Sequence, residues 1–169
     1  MNAVDQRRIE LLRLLRPGQK AAVLTQQSPE LFLTASALFE QDYRHELGHK
    51  VIAQVGHAGL LVLAVLTDIV PGIRAELTIW SRSSRGLAGR EFLRAVFGVV
   101  FKEWRCLRLS AVIATRNRPS HRGAVALGFV PEARLERWFG DDDGVIYRMY
   151  RERCRWIKEE SHEGIRACA

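Results

Sequence analysis

The chain has 169 residues, enough for one domain and too few for a second independent core. With 47% hydrophobic and 27% charged residues its composition is globular rather than disordered, and no apolar run reaches the roughly 18 residues of a membrane span. Cys106, Cys154 and Cys168 are too few and too widely spaced for a disulfide framework or a zinc knuckle, and the charged N-terminus lacks the apolar core of a signal peptide. The cytoplasm is therefore the expected compartment, with no membrane contact. The net charge of +7 favours partners that carry phosphate, whether nucleic acid, anionic lipid or a phosphorylated cofactor. A solvated basic surface reads the same charge equally well, because the arginines are spread from Arg7 to Arg166.

In chain order, Val4 to Arg16 predicts an amphipathic helix stopped by Pro17-Gly18. Lys20 to Thr25 predicts a short strand. Ser28 reads as an N-cap with Pro29 at the first helical position, which opens a helix to about Glu40. Leu31, Leu38 and Phe39 share a face of it, and a further helical turn is expected from Tyr43 to Leu47. From Lys50 the period changes. Val51 to Val55, Leu60 to Thr67 and Arg74 to Trp80 predict an antiparallel meander. A loop of small and basic residues, Ser81 to Gly86, then runs into an amphipathic helix, Leu87 to Trp104. Leu107 to Thr115 predicts a strand and Arg118 to Leu127 a short helix. A hairpin follows Gly128-Phe129, with its turn at Asp141 to Gly144 and its last strand at Val145 to Arg151. Beyond Trp156 a polar tail is expected to be mobile. The order of elements predicts one α+β domain over residues 1–169, built on a mixed sheet.

The chemistry is expected at the step from strand to loop to helix. A Gly- and Ser-containing loop that opens a helix is an anion site, because the first N–H groups lack intrahelical partners and the helix dipole adds positive charge. Arg82, Arg85 and Arg90 add formal charge there. The loop is neither a Walker A sequence nor G-x-G-x-x-G. Further along, Asn117, Ser120 and Gly128-Phe129 stand in the order N-x-x-S-x7-G-F.

With these segments the chain resembles the GNAT acetyltransferases from about Lys50 to Trp156. The matching pieces are LTIW, SRSSRGLAGREF, LRLSAVIATRN, RPSHRGAVALGF and the closing hairpin. Its Glu-Arg-Cys-Arg-Trp ending is similar to that of small phage- and bacteria-type members, while residues 1–48 diverge and are expected to build the substrate side. The resemblance implies a central, mostly antiparallel sheet flanked by helices and direct transfer from acetyl-CoA to an amine acceptor. The loop (Ser84, Arg85, Gly86, Leu87, Ala88, Gly89 and Arg90) would hold the CoA pyrophosphate. The strand Leu77, Thr78, Ile79 and Trp80 would bond the pantetheine arm. Asn117 would hydrogen-bond that arm or the adjacent backbone, and Arg118 and Arg122 would reach the 3′-phosphate. The tyrosine with which many members protonate the thiolate falls at Ala124, and Ser120, one turn earlier, would stand in. Glu76 is the candidate base, acting directly or through a water, or else a carboxylate paired with Arg74 or Arg82. Glu132 and the aspartates 141–143 are weaker candidates, three adjacent aspartates being more often a solvated turn, and Cys106 and Cys154 read as buried hydrophobes.

Two other classes compete. His45-Glu46-x-x-His49 fits the zinc-peptidase pattern H-E-x-x-H, although Ile52 and Val55 occupy the positions of an extended metal motif. A non-catalytic domain of the same fold could bind nucleic acid through its basic face. The acceptor amine and any dimer are not legible in the sequence.

Overall fold

A computed structural model describes residues 21–83 and 89–157. The helix expected at Val4 to Arg16 and the tail residues 158–169 lie outside them. One seven-stranded sheet organises the described residues. Its strands are β1 (Ala21–Leu24), β2 (Lys50–Gly56), β3 (Gly59–Val70), β4 (Arg74–Ser81), β5 (Arg108–Ala114), β6 (Val130–Phe139) and β7 (Asp142–Tyr150), in the order β1-β2-β3-β4-β5-β7-β6. Every neighbouring pair is antiparallel except β4 and β5. Those two are joined by a crossover, which parallel neighbours require and which here contains a helix. The sheet is thus the mixed, mostly antiparallel one expected.

Among the described residues three α-helices flank it: α1 (Pro29–Phe39), α2 (Arg90–Gly98) and α3 (Arg118–Leu127). Ser28 caps α1 as expected, its Oγ accepting the Leu31 N–H at 3.4 Å. The helix ends where Glu40 enters the left-handed region with φ 53°. Alternation along each strand divides the core in two. On one face Val51, Ala53, Val55, Leu63 and Val65 pack with Leu31, Phe32 and Ala35 of α1 and with Tyr43. On the other, Ile52, Ala64, Leu66, Leu77 and Leu109 pack with Phe92, Val96 and Phe97 of α2 and with Ala124 and Leu127 of α3.

Two elements differ from expectation. The helix predicted from Leu87 to Trp104 begins at Arg90, with extended Gly89 as N-cap, and changes at Val99 into one wide π-helical turn through Glu103. There the Trp104 N–H bonds the Val99 carbonyl at 2.9 Å. The wider turn accommodates three consecutive buried side chains, Val99, Val100 and Phe101. The hairpin turn is at Gly140-Asp141 rather than Asp141 to Gly144, since Phe139 pairs with Asp142 and Gly140 takes φ 76°. A two-residue turn needs left-handed backbone, which glycine adopts without steric cost.

The three aspartates are not a free solvated turn. Asp141 pairs with Arg116, Asp143 pairs with Arg134, and Asp142 accepts from Thr115 Oγ1 and from Arg116 Nε at 2.8 Å. The Thr115 and Arg116 bonds lower the Asp142 pKa from 3.8 to about 2. A depressed carboxylate stabilises the fold above its unfolded pKa and loses that contribution as pH falls. Asp142→Asn is therefore expected to lower Tm at neutral pH. The difference from wild type should shrink between about pH 4 and pH 2, as thermal unfolding across that range will show.

Candidate active site

The β4–β5 ladder consists of three rungs, Arg74↔Arg108, Ala75↔Leu109 and Glu76↔Ser110. Beyond the last rung both strands continue, β4 to Ser81 and β5 to Ala114, without pairing to each other. The Arg82 N–H bonds Leu61 on β3, so even-numbered residues of β4 turn their main chain to β3 and Ile79 turns its own into the gap. Likewise the Thr115 N–H bonds Asp143 on the β7 side, which turns Val112 into the gap from β5. Of the expected pantetheine strand, the Ile79 main chain faces the gap, while Thr78 and Trp80 direct theirs to β3.

The N-terminus of α2 follows the open end of β4. Ser84, Arg85, Gly86, Leu87 and Ala88, expected to hold the pyrophosphate, lie outside the described residues. Gly89 and Arg90 are described. The Gly89 N–H is taken by Gln54 Oε1 of β2 at 3.1 Å, and a Cβ at Gly89 would stand 2.9 Å from Gln54 Nε2. Among the described residues no side chain caps α2, which leaves the first-turn amides after Gly89 for an anion. Arg82 donates to the Ala58 carbonyl in the β2–β3 turn. Arg90, Arg94, Arg155 and Trp156 line a pocket of about 390 Å³.

Glu76 lies at the last rung, on the face shared with Tyr43 and Thr78. Burial first, then the negative charge of Asp68, raises its carboxyl above the ordinary range. It pairs with neither Arg74 nor Arg82: Arg74 makes two hydrogen bonds to Asp68, at 2.8 and 3.1 Å. Burial also pushes up the Tyr43 phenol, which donates to Gln41 Oε1 at 2.7 Å. Glu132 is held ionised by Arg108 and Arg148, which suits an ion-pair anchor rather than a base.

On the other face, Asn117 caps α3, its Oδ1 accepting the Ser120 N–H at 3.2 Å. Ser120 is half-buried one turn before buried Ala124, while Arg118 and Arg122 are exposed. Cys106 and Cys154 are free thiols and buried.

The H-E-x-x-H segment does not form the helix that a zinc site of that pattern needs. His45 to Leu47 make one 3₁₀ turn that ends at Gly48 with φ 76°. His49 Nδ1 accepts the Arg44 N–H at 3.2 Å, and His45 packs edge-on to Phe32. Among the described residues no three His, Cys, Asp or Glu side chains gather as a metal site, and no helix is long and apolar enough to cross a membrane.

Two features were missed in the sequence. Gln54 anchors the N-terminus of α2, and its signal was a lone polar residue inside the apolar strand VIAQVG. His121 of α3 bonds the Tyr147 hydroxyl of β7 at 2.8 Å, a contact across 26 residues that local pattern does not encode.

The split parallel pair, with a helix opening after one strand and a second helix after the other, is the fold of the GNAT N-acetyltransferases. The structure is similar to spermidine N-acetyltransferase from Vibrio cholerae in complex with CoA and spermine, with 14% identity, TM-score 0.62, and 80% of this chain and 98% of that one covered. It is also similar to ribosomal-protein-S5-alanine acetyltransferase from Vibrio fischeri, with 17% identity, TM-score 0.54 and 80% of each chain covered. No family model matches the sequence. No curated protein matches it in sequence either.

Proposed function

We propose that the chain is an acetyl-CoA-dependent N-acyltransferase. The observation that carries this reading is the gap beyond Glu76↔Ser110. It is edged by main-chain groups of Ile79 and Val112, which can pair with the amides of a pantetheine arm as a strand would. The α2 N-terminus beside it suits a pyrophosphate, with Arg90, Arg94 and Arg155 as cationic surroundings and Arg118 and Arg122 on the neighbouring helix. The donor would supply the activated acyl group; the protein would position it and move protons.

Glu76 is the base in this reading. It stands at the closed end of the gap with a raised pKa, as deprotonation of an amine near neutral pH requires. Ser120 and its N-cap partner Asn117 belong to α3, on the opposite face of the sheet. The two neighbours act on spermidine and on a ribosomal protein alanine by name, so a polyamine and a peptide amino terminus are the first acceptors to try. A thermal scan is the first test. At 100 times its Kd, acetyl-CoA is expected to add about 2.7 kcal/mol. In a domain of this size that raises Tm by about 5–10 °C. An unchanged Tm at saturating acetyl-CoA would remove the reading.

A further inference from the structure

We propose that Tyr147, backed by His121, gives the departing thiolate its proton; this inference rests on the acyltransferase reading above. Tyr147 stands opposite Ala111, the first β5 residue beyond the last β4–β5 rung. Its side chain is 5% exposed and lies on the α3 face of the sheet, where its hydroxyl is 2.8 Å from His121 Nδ1. Glu76 occupies the same level of the sheet on the opposite face. Near the closed end of the gap a carboxylate therefore lies on one face of the sheet and, one strand beyond β5, a phenol on the other. Aminolysis of a thioester needs that division, because the attacking nitrogen sheds a proton while the sulfur gains one.

The second ring nitrogen of His121 defines the relay. Nε2 lies 3.0 Å from the Ala114 carbonyl oxygen, which can only accept, so Nε2 carries a hydrogen. In the neutral ring Nδ1 accepts, and Tyr147 donates to it. In the imidazolium Nδ1–H donates to the phenol oxygen, and the phenol hydrogen is released to point at another acceptor. The step then balances. The amine nitrogen bonds the acyl carbon and loses its proton to Glu76. The carbon–sulfur bond breaks with its electron pair on sulfur, and sulfur takes the Tyr147 proton. The Nδ1 proton passes to the phenol oxygen, which leaves His121 neutral for reprotonation by solvent. Ser120 also offers a hydroxyl on this face, but the hydrogen bond it makes is through its N–H to Asn117 Oδ1, whereas the Tyr147 hydroxyl is bonded to an imidazole. Tyr147 is thus the catalytic donor and His121 the residue that positions and recharges it.

Binding tests the contact without turnover. CoA is expected to bind wild type about 2- to 10-fold more tightly than desulfo-CoA, the effect of one hydrogen bond to sulfur, and Tyr147→Phe should equalise the two. Turnover tests the step, with hydroxylamine as acceptor and thiol release as readout. Tyr147→Phe is expected to lower kcat about 10²-fold with little change in KM for acetyl-CoA. His121→Ala should fall similarly and recover with added imidazole, which a purely structural histidine would not do. Ser120→Ala should lose less than Tyr147→Phe. The proposal is overturned if wild type binds CoA and desulfo-CoA equally, if Tyr147→Phe keeps full kcat, or if Ser120→Ala carries the larger loss. Wild type that binds neither ligand removes the acyltransferase reading itself and this inference with it.

Discussion

Glu76→Gln is expected to lower kcat for transfer to a primary alkylamine by about 10²-fold or more, with the Kd for acetyl-CoA unchanged. The base works ionised. Burial, and next the charge of Asp68, raises its pKa above the ordinary glutamate value of 4.5. The acid limb of kcat/KM should therefore lie above pH 4.5 in wild type and vanish in the variant. Burial opposes the ionised form, so replacing it with a neutral amide should leave Tm unchanged or raise it. Hydroxylamine, unprotonated at neutral pH, should show a smaller loss than the alkylamine. A Glu76→Gln enzyme with wild-type kcat on an alkylamine would take the proton-transfer role from this residue.

Phe97→Ala is expected to cost about 3–5 kcal/mol, the range for removing a buried phenylalanine. Phe97 is fully buried, and its ring stacks on Phe101 and on Trp156 with both centroids at 6.2 Å. Trp156 in turn donates to the Leu127 carbonyl at the end of α3 at 2.9 Å. One side chain therefore joins α2, α3 and the final segment of the chain. The expected loss corresponds to a fall in Tm of about 6–20 °C, read by thermal unfolding. A loss below about 1 kcal/mol would show that the cluster repacks without a cavity.

Local signals in the sequence placed most of the fold. Ser28-Pro29 marked the start of α1, because a cap is written in one or two adjacent residues. The meander was legible from its period of two and its turn residues. The end of α2 was not, because Val99, Val100 and Phe101 continue the apolar stripe and only tertiary packing selects the wide turn. The aspartates read as a solvated turn because their arginine partners lie elsewhere in the chain, Arg116 on the loop after β5 and Arg134 on β6.

Glu76 was singled out in the sequence with Arg74 or Arg82 as an ion-pair partner, and the structure gives Arg74 to Asp68 and Arg82 to the Ala58 carbonyl instead. Arg74 lies two residues away on the same strand and looks available, yet the left-handed bend at Asp68, with φ 44°, goes with a carboxylate in reach of that guanidinium. The split of β4 from β5 has no local code either, because three rungs of parallel pairing depend on residues more than 30 positions apart. The same holds for the Gln54 amide on Gly89 and for the His121–Tyr147 bond. Spacing shows a helix face or a strand alternation, and these contacts depend on which strands and helices lie side by side in the sheet.

Calorimetric titration with acetyl-CoA, on wild type and on Arg90→Glu, tests the central claim most directly. The gap between β4 and β5 and the open N-terminus of α2 predict a single saturable site on wild type. Arg90 is exposed at the first position of α2, so a carboxylate there opposes phosphate without disturbing the core and should weaken binding at least about tenfold. Wild type that gives no heat with acetyl-CoA and no stabilisation by it, or an Arg90→Glu variant that binds as tightly as wild type, would contradict the account.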